Sequence, residues 1–307
     1  MRYGPRTKRE GPREKRREFE KELEGFIRKL VKEHVSKDPA NTNIVSLMFY
    51  AFVEAGTKFL RSPHAENFVS IFSRTLADSL TKSKAFECSR YKRVFEEVQA
   101  IFDEVKRGLG NRFHVYEVKF TTSTRLLVHV SGHYLPLYVS TAWDYVRNVP
   151  FIPSSSLKGV ARAYFEQLDT PVEGLKADDL FGSENSEGAV VITDAYPVGC
   201  RDTLVEPEVM TPHYVEAEGR IDEVSARPRP IVFLAVSPEV TFESLVLVRR
   251  KLGGHELGED RAKQIVSRIL EAFIAMGLGA KISVGYGRVK RVAKEGEPKQ
   301  ASLEASR

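Results

Sequence analysis

The 307-residue sequence has little of several residue types, and each shortage excludes a class of protein. Two cysteines are too few for a disulfide framework or a cysteine-based metal site. The chain has no phosphate loop ending in Gly-Lys-Ser or Gly-Lys-Thr, which argues against nucleotide hydrolysis, and we expect no cofactor. Asparagine and glutamine together number only ten, whereas charged residues reach 29%, a skew that predicts a thermophilic host.

The sequence also lacks a long apolar run. Its longest one, Ile44 to Val53, ends at Glu54 and is far shorter than a membrane span. The first residues, MRYGPRTKREGPREKRREFEKE, have no apolar core behind their basic residues, so they do not form a secretory signal. We therefore expect a cytoplasmic protein that has no membrane partner.

Positive charge is concentrated at the amino terminus. Residues 1–17 hold eight Lys or Arg and two Glu, so the rest of the chain sums to −1 against a total of +5. This segment predicts a basic, flexible arm, and two interpretations of it stay open: neutralisation of phosphates, or a solvated terminus. Nucleic-acid binding by the body of the chain would have to rest on local sites.

Residues 18–110 have the apolar spacing of helices. The first helix is indicated by apolar residues from Phe19 to Val31, and three more are predicted over 43–60, 65–80 and 91–106. No catalytic cluster lies in these segments, which read as a packing or docking module. Their aromatic residues are expected in the core: Phe49, Phe52, Phe59, Phe68, Phe72, Phe95 and Phe102.

From residue 111 the pattern changes to strands. Alternating apolar residues from His114 to Val130 predict a long strand or a bent pair. A helix over 156–168, strands over 189–195, 231–236 and 240–248, a helix over 260–276 and a strand over 288–292 follow. This order predicts an α+β, ferredoxin-like (RRM-like, split βαβ) domain over 111–293. Residues 196–229 are expected to form an irregular insertion between its second and third strands, and residues 294–307 a disordered tail.

Residues 277–287, GLGAKISVGYG, are the most informative segment of the chain. Two Gly-apolar-Gly triplets, at 277–279 and 285–287, flank five residues that include Lys281 and Ser283. Glycine allows positive φ and leaves backbone N–H groups uncovered, so such a loop can contact a phosphate backbone, with Lys281 and Arg288 adding charge. A helix C-cap followed by a turn is the alternative, but it would need only one or two glycines.

A second segment, PSSSLKGVAR at 153–162, has the pattern of a helix start. Ser154 or Ser155 could cap a helix beginning near Ser156, and a helix N-terminus is a potential anion site. Lys158 and Arg162, four residues apart, would share one helix face. An ordinary capped helix with two surface cations is the alternative. In a split βαβ domain this helix start and the glycine loop would lie at the same edge of the sheet.

Together, FIPSSSLKGVAR and GLGAKISVGYGRV resemble the signature of the RAMP proteins of CRISPR–Cas systems. TSTRLLVHVSG, LFGSENSEGAVVITDAYP, TPHY and PIVFLAV follow in the order found in the sixth-subunit family of type III-B (Cmr) effector complexes. The resemblance covers residues 114–292. One departure is Ser154, where the family usually has glycine after the proline, which puts close backbone approach at this position in doubt.

The resemblance implies a non-catalytic RNA-binding structural subunit that caps the backbone filament near the 3′ part of a crRNA. Its partners would be the crRNA, the guide–target RNA duplex and neighbouring backbone and capping RAMP subunits. The insertion at 196–229, with Thr211 in it, would reach the duplex. The RNA-binding residues implied are Ser155, Ser156, Lys158, Arg162, His213, Tyr214, Gly277, Gly279, Lys281, Ser283, Gly285, Tyr286, Gly287 and Arg288.

Catalysis is the alternative function, because some RAMP proteins are endoribonucleases. A stand-alone, metal-independent crRNA-processing enzyme could use His133 or His213, each followed by a tyrosine. Asp144 lies in the loop after the first strand, and we interpret it as a turn or capping residue. Neither Cys nor His occurs in pairs at metal-ligand spacing, and Asp178 and Asp179 are expected at a helix start. A generic RRM is disfavoured, since its aromatic strand motifs are missing.

Overall fold

The computed structural model describes residues 12–35, 42–130, 134–168, 171–211, 215–217, 220–222, 230–253 and 255–292. It is a mixed α+β structure with antiparallel strand pairing, which confirms the predicted class. The helices are α1 Pro12–Val35, α2 Ile44–Phe59, α3 Phe68–Lys82, α4 Lys92–Leu109, α5 Ser154–Glu166, α6 Ala177–Phe181 and α7 Glu259–Met276. The strands are β1 Phe113–Thr122, β2 Trp143–Asp144, β3 Val149–Pro150, β4 Val190–Ile192, β5 Tyr196–Cys200, β6 Val205–Met210, β7 Val215–Ala217, β8 Arg220–Asp222, β9 Ile231–Val236, β10 Val240–Arg249, β11 Lys251–Leu252, β12 His255–Glu256 and β13 Val289–Arg291.

Backbone contacts divide the chain into two compact units, and each contains segments that are distant in sequence. The first unit comprises residues 1–91, 129–150 and 202–236, and the second comprises residues 92–128, 151–201 and 237–307. Helices α1, α2 and α3 therefore belong to the first unit, and α4 belongs with the main sheet.

The first unit is built on three helices that match the predicted ones. Helix α1 begins at Pro12, a residue suited to a first helical turn, so the last six residues of the predicted flexible arm are helical. Asn43 caps α2, and its Oδ1 accepts the Ser46 N–H at 2.9 Å. Helix α3 packs on α1 and on the ladder of β6 and β9. Phe49 is an exception to the expected core, since it is 40% exposed and meets Tyr145 edge to face.

The second unit is built on a five-stranded antiparallel sheet. The strand order is β13-β1-β10-β4, and β5 pairs with β10 beyond the end of β4. Helices α5 and α7 pack against each other, and Phe273 of α7 meets Phe120 of β1 at a ring distance of 5.6 Å. Strands β1 and β4 both run antiparallel to β10, so they are parallel to each other. We call the edge where they end the carboxyl edge and the edge where they begin the amino edge.

Helix α4 covers part of the opposite face of the sheet. Val98 and Phe102 pack with Phe113, Leu245 and Leu247 in one buried apolar cluster. The apolar period of the sequence predicts that α4 is amphipathic, but it contains no information about which surface the helix covers.

Two strand predictions differ from the structure. The long strand or bent pair expected from His114 to Val130 is a single strand that ends at Thr122, because residues 123–128 leave the ladder and pack under the glycine loop instead. The expected irregular segment 196–229 begins with β5, whose Tyr196 and Cys200 pair with Glu243 and Val240 of β10, and continues into β6. Prolines at 197 and 207 suggested turns, but both are accommodated inside strands.

Cys88 and Cys200 are each disulfide-bonded, which their small number did not suggest. Among the residues that the structure describes, none of the helices combines the length and the apolar character that a membrane crossing requires.

Candidate nucleic-acid interface

The glycine loop at 277–287 is a closely packed turn at the carboxyl edge. All four of its glycines have positive φ, from +69° at Gly287 to +95° at Gly285, a region that disfavours other residues. Lys281 also has positive φ, at +61°. A Cβ on Gly279 would lie 2.1 Å from the Leu127 carbonyl oxygen, and one on Gly287 would lie 1.9 Å from the Leu278 carbonyl oxygen. Close backbone packing therefore requires glycine at these two positions.

Most of the loop's amide groups are already used inside the protein. Seven of its eleven N–H groups donate to backbone carbonyls, including Ala280 to Leu127 at 2.7 Å and Gly287 to Arg125 at 2.8 Å. The N–H groups of Gly279, Ile282 and Ser283 have no partner in the described part of the chain. The loop therefore offers fewer amide donors to a phosphate than its sequence suggested, because most of its N–H groups are used in internal packing.

The tip of the loop is the part that faces solvent. Ser283, Val284 and Gly285 are exposed, while Lys281 and Tyr286 are half-buried. Arg288, just after the loop, is also exposed, and its N–H donates to Thr124 Oγ1 at 3.0 Å. The Arg288 carbonyl accepts the N–H of Ser123 at 2.7 Å, which ties both sides of the loop to the segment that follows β1.

The predicted helix start is confirmed, but its capping differs from the expectation. Helix α5 begins at Ser154, and the N-cap is Pro153, which has no side-chain cap. The Ser154 N–H instead donates to Asp194 Oδ1 at 2.6 Å, because a carboxylate is a stronger acceptor than a serine hydroxyl. Ser155 is exposed, its N–H has no partner in the described chain, and Ser156 is half-buried.

Asp194 also shows where this helix start lies in the fold. It follows β4, whose end is at the carboxyl edge, and the glycine loop packs on the segment after β1, at the same edge. The two predicted anion sites therefore share one edge of the sheet. However, the Asp194 carboxylate already compensates part of the positive potential at the start of α5.

Lys158 and Arg162 share a helix face, but their surroundings differ. Arg162 bonds to Glu166 at 2.7 Å, to Asp178 at 2.5 Å and to the Gly182 carbonyl at 2.6 Å. Its pKa is raised, first by the hydrogen bond to Glu166 and then by the one to Asp178. Lys158 has no ion-pair partner among the described residues. Lys158 and Arg162 both line a cleft of about 750 Å³. Arg162 therefore links α5 to α6, and Lys158 is the more available cation.

The residues considered for catalysis do not form a site in the described structure. His133, His213 and Tyr214 lie outside the described residues. Asp144 has the turn role that was expected of it, since its Oδ1 accepts the N–H groups of Val146 and Arg147 at 2.9 Å each. Asp179 accepts the Lys176 N–H at 2.9 Å at the start of α6, as predicted. Within the described ranges, no three His, Cys, Asp or Glu side chains are grouped closely enough to hold a metal ion.

Comparison with known proteins establishes the family. A model of the RAMP superfamily matches residues 136–290, half of the chain, including both the α5 start and the glycine loop. This chain belongs to the RAMP superfamily. The resemblance seen in the two sequence signatures is thereby confirmed for the family.

The RAMP relatives belong to CRISPR systems. A CRISPR system CMR subunit Cmr6 of Saccharolobus solfataricus is 32% identical over 219 residues, covering 71% of this chain and 70% of the relative. A Cmr6 subunit of Pyrococcus furiosus is 26% identical over 271 residues, covering 67% and 74%. A chain in a cryo-EM structure of the type III-B Cmr-beta bound to cognate target RNA superposes with a TM-score of 0.67, at 29% identity, over 86% of this chain and 96% of that one.

Two features of the carboxyl edge were not predicted from the sequence. Residues 123–128 form the wall on which the glycine loop packs, with Leu126, Leu127 and Val128 buried, and they place the exposed Arg125 beside the loop. Asp194 was also missed as the partner of α5. A signal for Asp194 existed, because a polar residue directly after β4 lies at the carboxyl edge, and a helix that follows the parallel strand β1 begins at the same edge.

Proposed function

We propose that this chain is the Cmr6-type subunit of a type III-B CRISPR effector complex, acting in antiviral RNA-guided defence. In this role it is a non-catalytic, RNA-binding structural subunit that grips crRNA towards its 3′ part and caps the backbone filament. Its partners are the crRNA, the guide–target RNA duplex and the neighbouring backbone and capping RAMP subunits. The strand order β13-β1-β10-β4, with α5 and α7 packed together, supports a ferredoxin-like RAMP core.

The geometry of the glycine loop carries this proposal. The loop holds three N–H groups without a partner among the described residues, at Gly279, Ile282 and Ser283, on a backbone that close packing makes rigid. Unpaired amides of such a preorganised turn can bind phosphate oxygens without a large ordering penalty. Lys281, Arg288 and Arg125 add positive charge around the tip. Lys158 and the Ser155 N–H extend the surface along the start of α5.

Replacing Lys281 and Arg288 together by alanine should weaken crRNA binding by about tenfold or more, because two phosphate contacts are lost. Fluorescence anisotropy with the purified full chain and a labelled crRNA measures the change. Lys290→Ala is the matched control, since this exposed lysine at the same edge is already paired with Glu239 at 2.5 Å. If the control and the double variant lose equal affinity, net charge and not the loop determines binding.

The structural role is tested in the complex. When the effector complex is assembled with and without this chain and then treated with ribonuclease, the 3′ part of the crRNA should be protected only when the chain is present. The protected length is read on a sequencing gel. Equal protection in both assemblies would contradict the capping role. Robust RNA cleavage by the isolated chain, with or without Mg²⁺, would favour the processing endoribonuclease instead.

A further inference from the structure

A second cluster of cations lies at the amino edge, at the opposite end of β1 from the glycine loop. Here residues 111–114 at the start of β1, residues 249–251 at the end of β10 and residues 256–259 enclose an open cleft of about 580 Å³. Arg112, Arg249, Arg250 and Lys251 line it. None of these four residues belongs to the RNA-binding set that the sequence suggested. The ten residues of β1 separate this cleft from the carboxyl edge by roughly 33 Å, at the usual rise of a strand.

The backbone brings these cations together from two distant segments. Phe113 pairs with Arg249 in the β1–β10 ladder, and the Arg250 N–H donates to the Arg112 carbonyl at 3.2 Å. The guanidinium groups of Arg112 and Arg249 lie 5.9 Å and 5.7 Å from the centre of the Phe113 ring. Arg250 Nε donates to the Gly110 carbonyl at 3.0 Å, which orients the rest of its guanidinium group. The cations are therefore positioned in advance by protein contacts.

The charge balance of the cleft is positive. Four cations line it against two carboxylates, Glu256 and Glu259, and a third carboxylate, Glu187, pairs with Arg249, which leaves a net of +1 in a chain whose residues after the amino-terminal arm sum to −1. Glu259 Oε1 pairs with Lys263 Nζ at 2.8 Å, and Glu256 Oε1 lies 3.9 Å from Lys251 Nζ. No described carboxylate forms an ion pair with Arg112 or Arg250. Two arginines are thus available to an anionic ligand.

The two large apolar side chains of the lining are buried. Phe113 is only 9% exposed and Leu257 only 3% exposed. A docked protein segment normally buries an apolar or aromatic anchor at the centre of its interface, and this cleft provides none. A ligand with regularly spaced negative charges needs no such anchor, and arginine binds phosphate oxygens through two parallel hydrogen bonds.

We propose that the amino-edge cleft is a second RNA-binding site, which holds the phosphodiester backbone of an RNA segment through Arg112, Arg250 and Lys251. It is independent of the glycine loop. An RNA long enough to reach both edges would contact the chain at two places, and the recognition at the amino edge is without base preference, because it rests on phosphate contacts.

The test uses the full chain with Arg112, Arg250 and Lys251 replaced by glutamine, and a labelled single-stranded oligouridine long enough to span both edges. The dissociation constant should rise about tenfold at moderate salt. The slope of log association constant against log salt should become less negative by about 2, since each lost phosphate contact removes about 0.7 from its magnitude. A control triple variant, Lys29→Gln, Lys82→Gln and Arg93→Gln, removes the same charge from exposed helix positions. Its affinity and slope should match the wild type.

Unchanged affinity and slope in the amino-edge variant would overturn the proposal. So would tighter binding of polyglutamate than of oligouridine to the wild type, because an acidic protein segment would then be the ligand. As a measurement that needs no variant, photo-crosslinking of 4-thiouridine RNA to the wild type should label peptides from 110–114 or 249–252. Labels confined to 277–288 would refute this site and leave the glycine-loop grip standing. Labels only at the amino edge would support this site and refute the RNA contact at the glycine loop.

Discussion

Gly279→Ala and Gly287→Ala are each expected to lower the free energy of unfolding by about 3 kcal/mol or more, because overpacking and backbone strain add at these positions. The new methyl group would lie 2.1 Å from the Leu127 carbonyl oxygen at position 279 and 1.9 Å from the Leu278 carbonyl oxygen at position 287. Both contacts involve backbone atoms, so a change of rotamer cannot relieve them. Positive φ at both glycines adds strain for alanine.

Gly285→Ala is the matched control within the same loop. Gly285 also has positive φ, at +95°, but no atom lies within 4 Å of the added methyl group. We expect this variant to lose only about 1–2 kcal/mol, the strain of the left-handed conformation alone. Urea unfolding of the three variants measures the difference. Equal losses in all three would show that strain dominates and that close packing contributes little.

The same series tests the proposed RNA grip. If the loop binds crRNA, the Gly279 and Gly287 variants should lose crRNA binding under conditions where circular dichroism still shows a folded chain. The Gly285 variant should keep most of its affinity. Full binding by all three variants would mean that the shape of the loop does not matter for RNA.

Lys119→Met is expected to destabilise the sheet by about 2–3 kcal/mol, somewhat less than the loss for a fully buried pair, because Lys119 is partly exposed. The Glu243 carboxyl group lies on β10 and is 1% exposed. Lys119 Nζ lies 3.1 Å from Glu243 Oε2 and also reaches Glu117 at 3.8 Å. Removing the lysine leaves a buried carboxylate without its cation. Lys106→Met is the control, because its exposed pair with Glu117 should be worth less than about 1 kcal/mol.

The contribution of Glu243 to stability depends on pH in a defined direction. Burial raises the pKa of Glu243, an effect that the positive charge of Lys119, whose Nζ lies 3.1 Å from Glu243 Oε2, only partly opposes. A carboxyl group with a raised pKa in the folded chain contributes stability below its unfolded pKa, and this contribution is lost as the pH rises through the folded value. Glu243→Gln resembles the protonated form, so its stability relative to the wild type should increase from acid to neutral pH.

Glu117 provides the opposite case. Its hydrogen bond to Lys106 lowers its pKa, so its contribution to stability is present at neutral pH and is lost as the pH falls through the folded value. Urea unfolding at several pH values separates the two groups. A Glu243→Gln variant that becomes relatively less stable towards neutral pH would contradict the assigned direction for Glu243.

Secondary structure was largely predictable because it depends on local patterns. The four amino-terminal helices, the helix before the glycine loop and the strands β1, β4, β10 and β13 of the main sheet follow from apolar periods of 3.6 and 2. The errors occurred where tertiary contacts decide. Residues 123–128 alternate like a strand but pack under the glycine loop, and 196–200 contains a proline but completes the ladder of β10. Phe49, expected in the core, is partly exposed beside Tyr145.

The sequence alone determined the family and the glycine loop, because both are carried by short segments whose residue types have local physical meaning. Glycine at four positions of one turn allows positive φ there, and all four glycines have it. Only the tertiary structure decided which amides of the loop stay available, that Asp194 bonds the start of α5 and that Arg162 is held by Glu166 and Asp178. It also brought Arg112 beside Arg250. These contacts join residues far apart in the chain, and a local pattern contains no information about pairing at that distance.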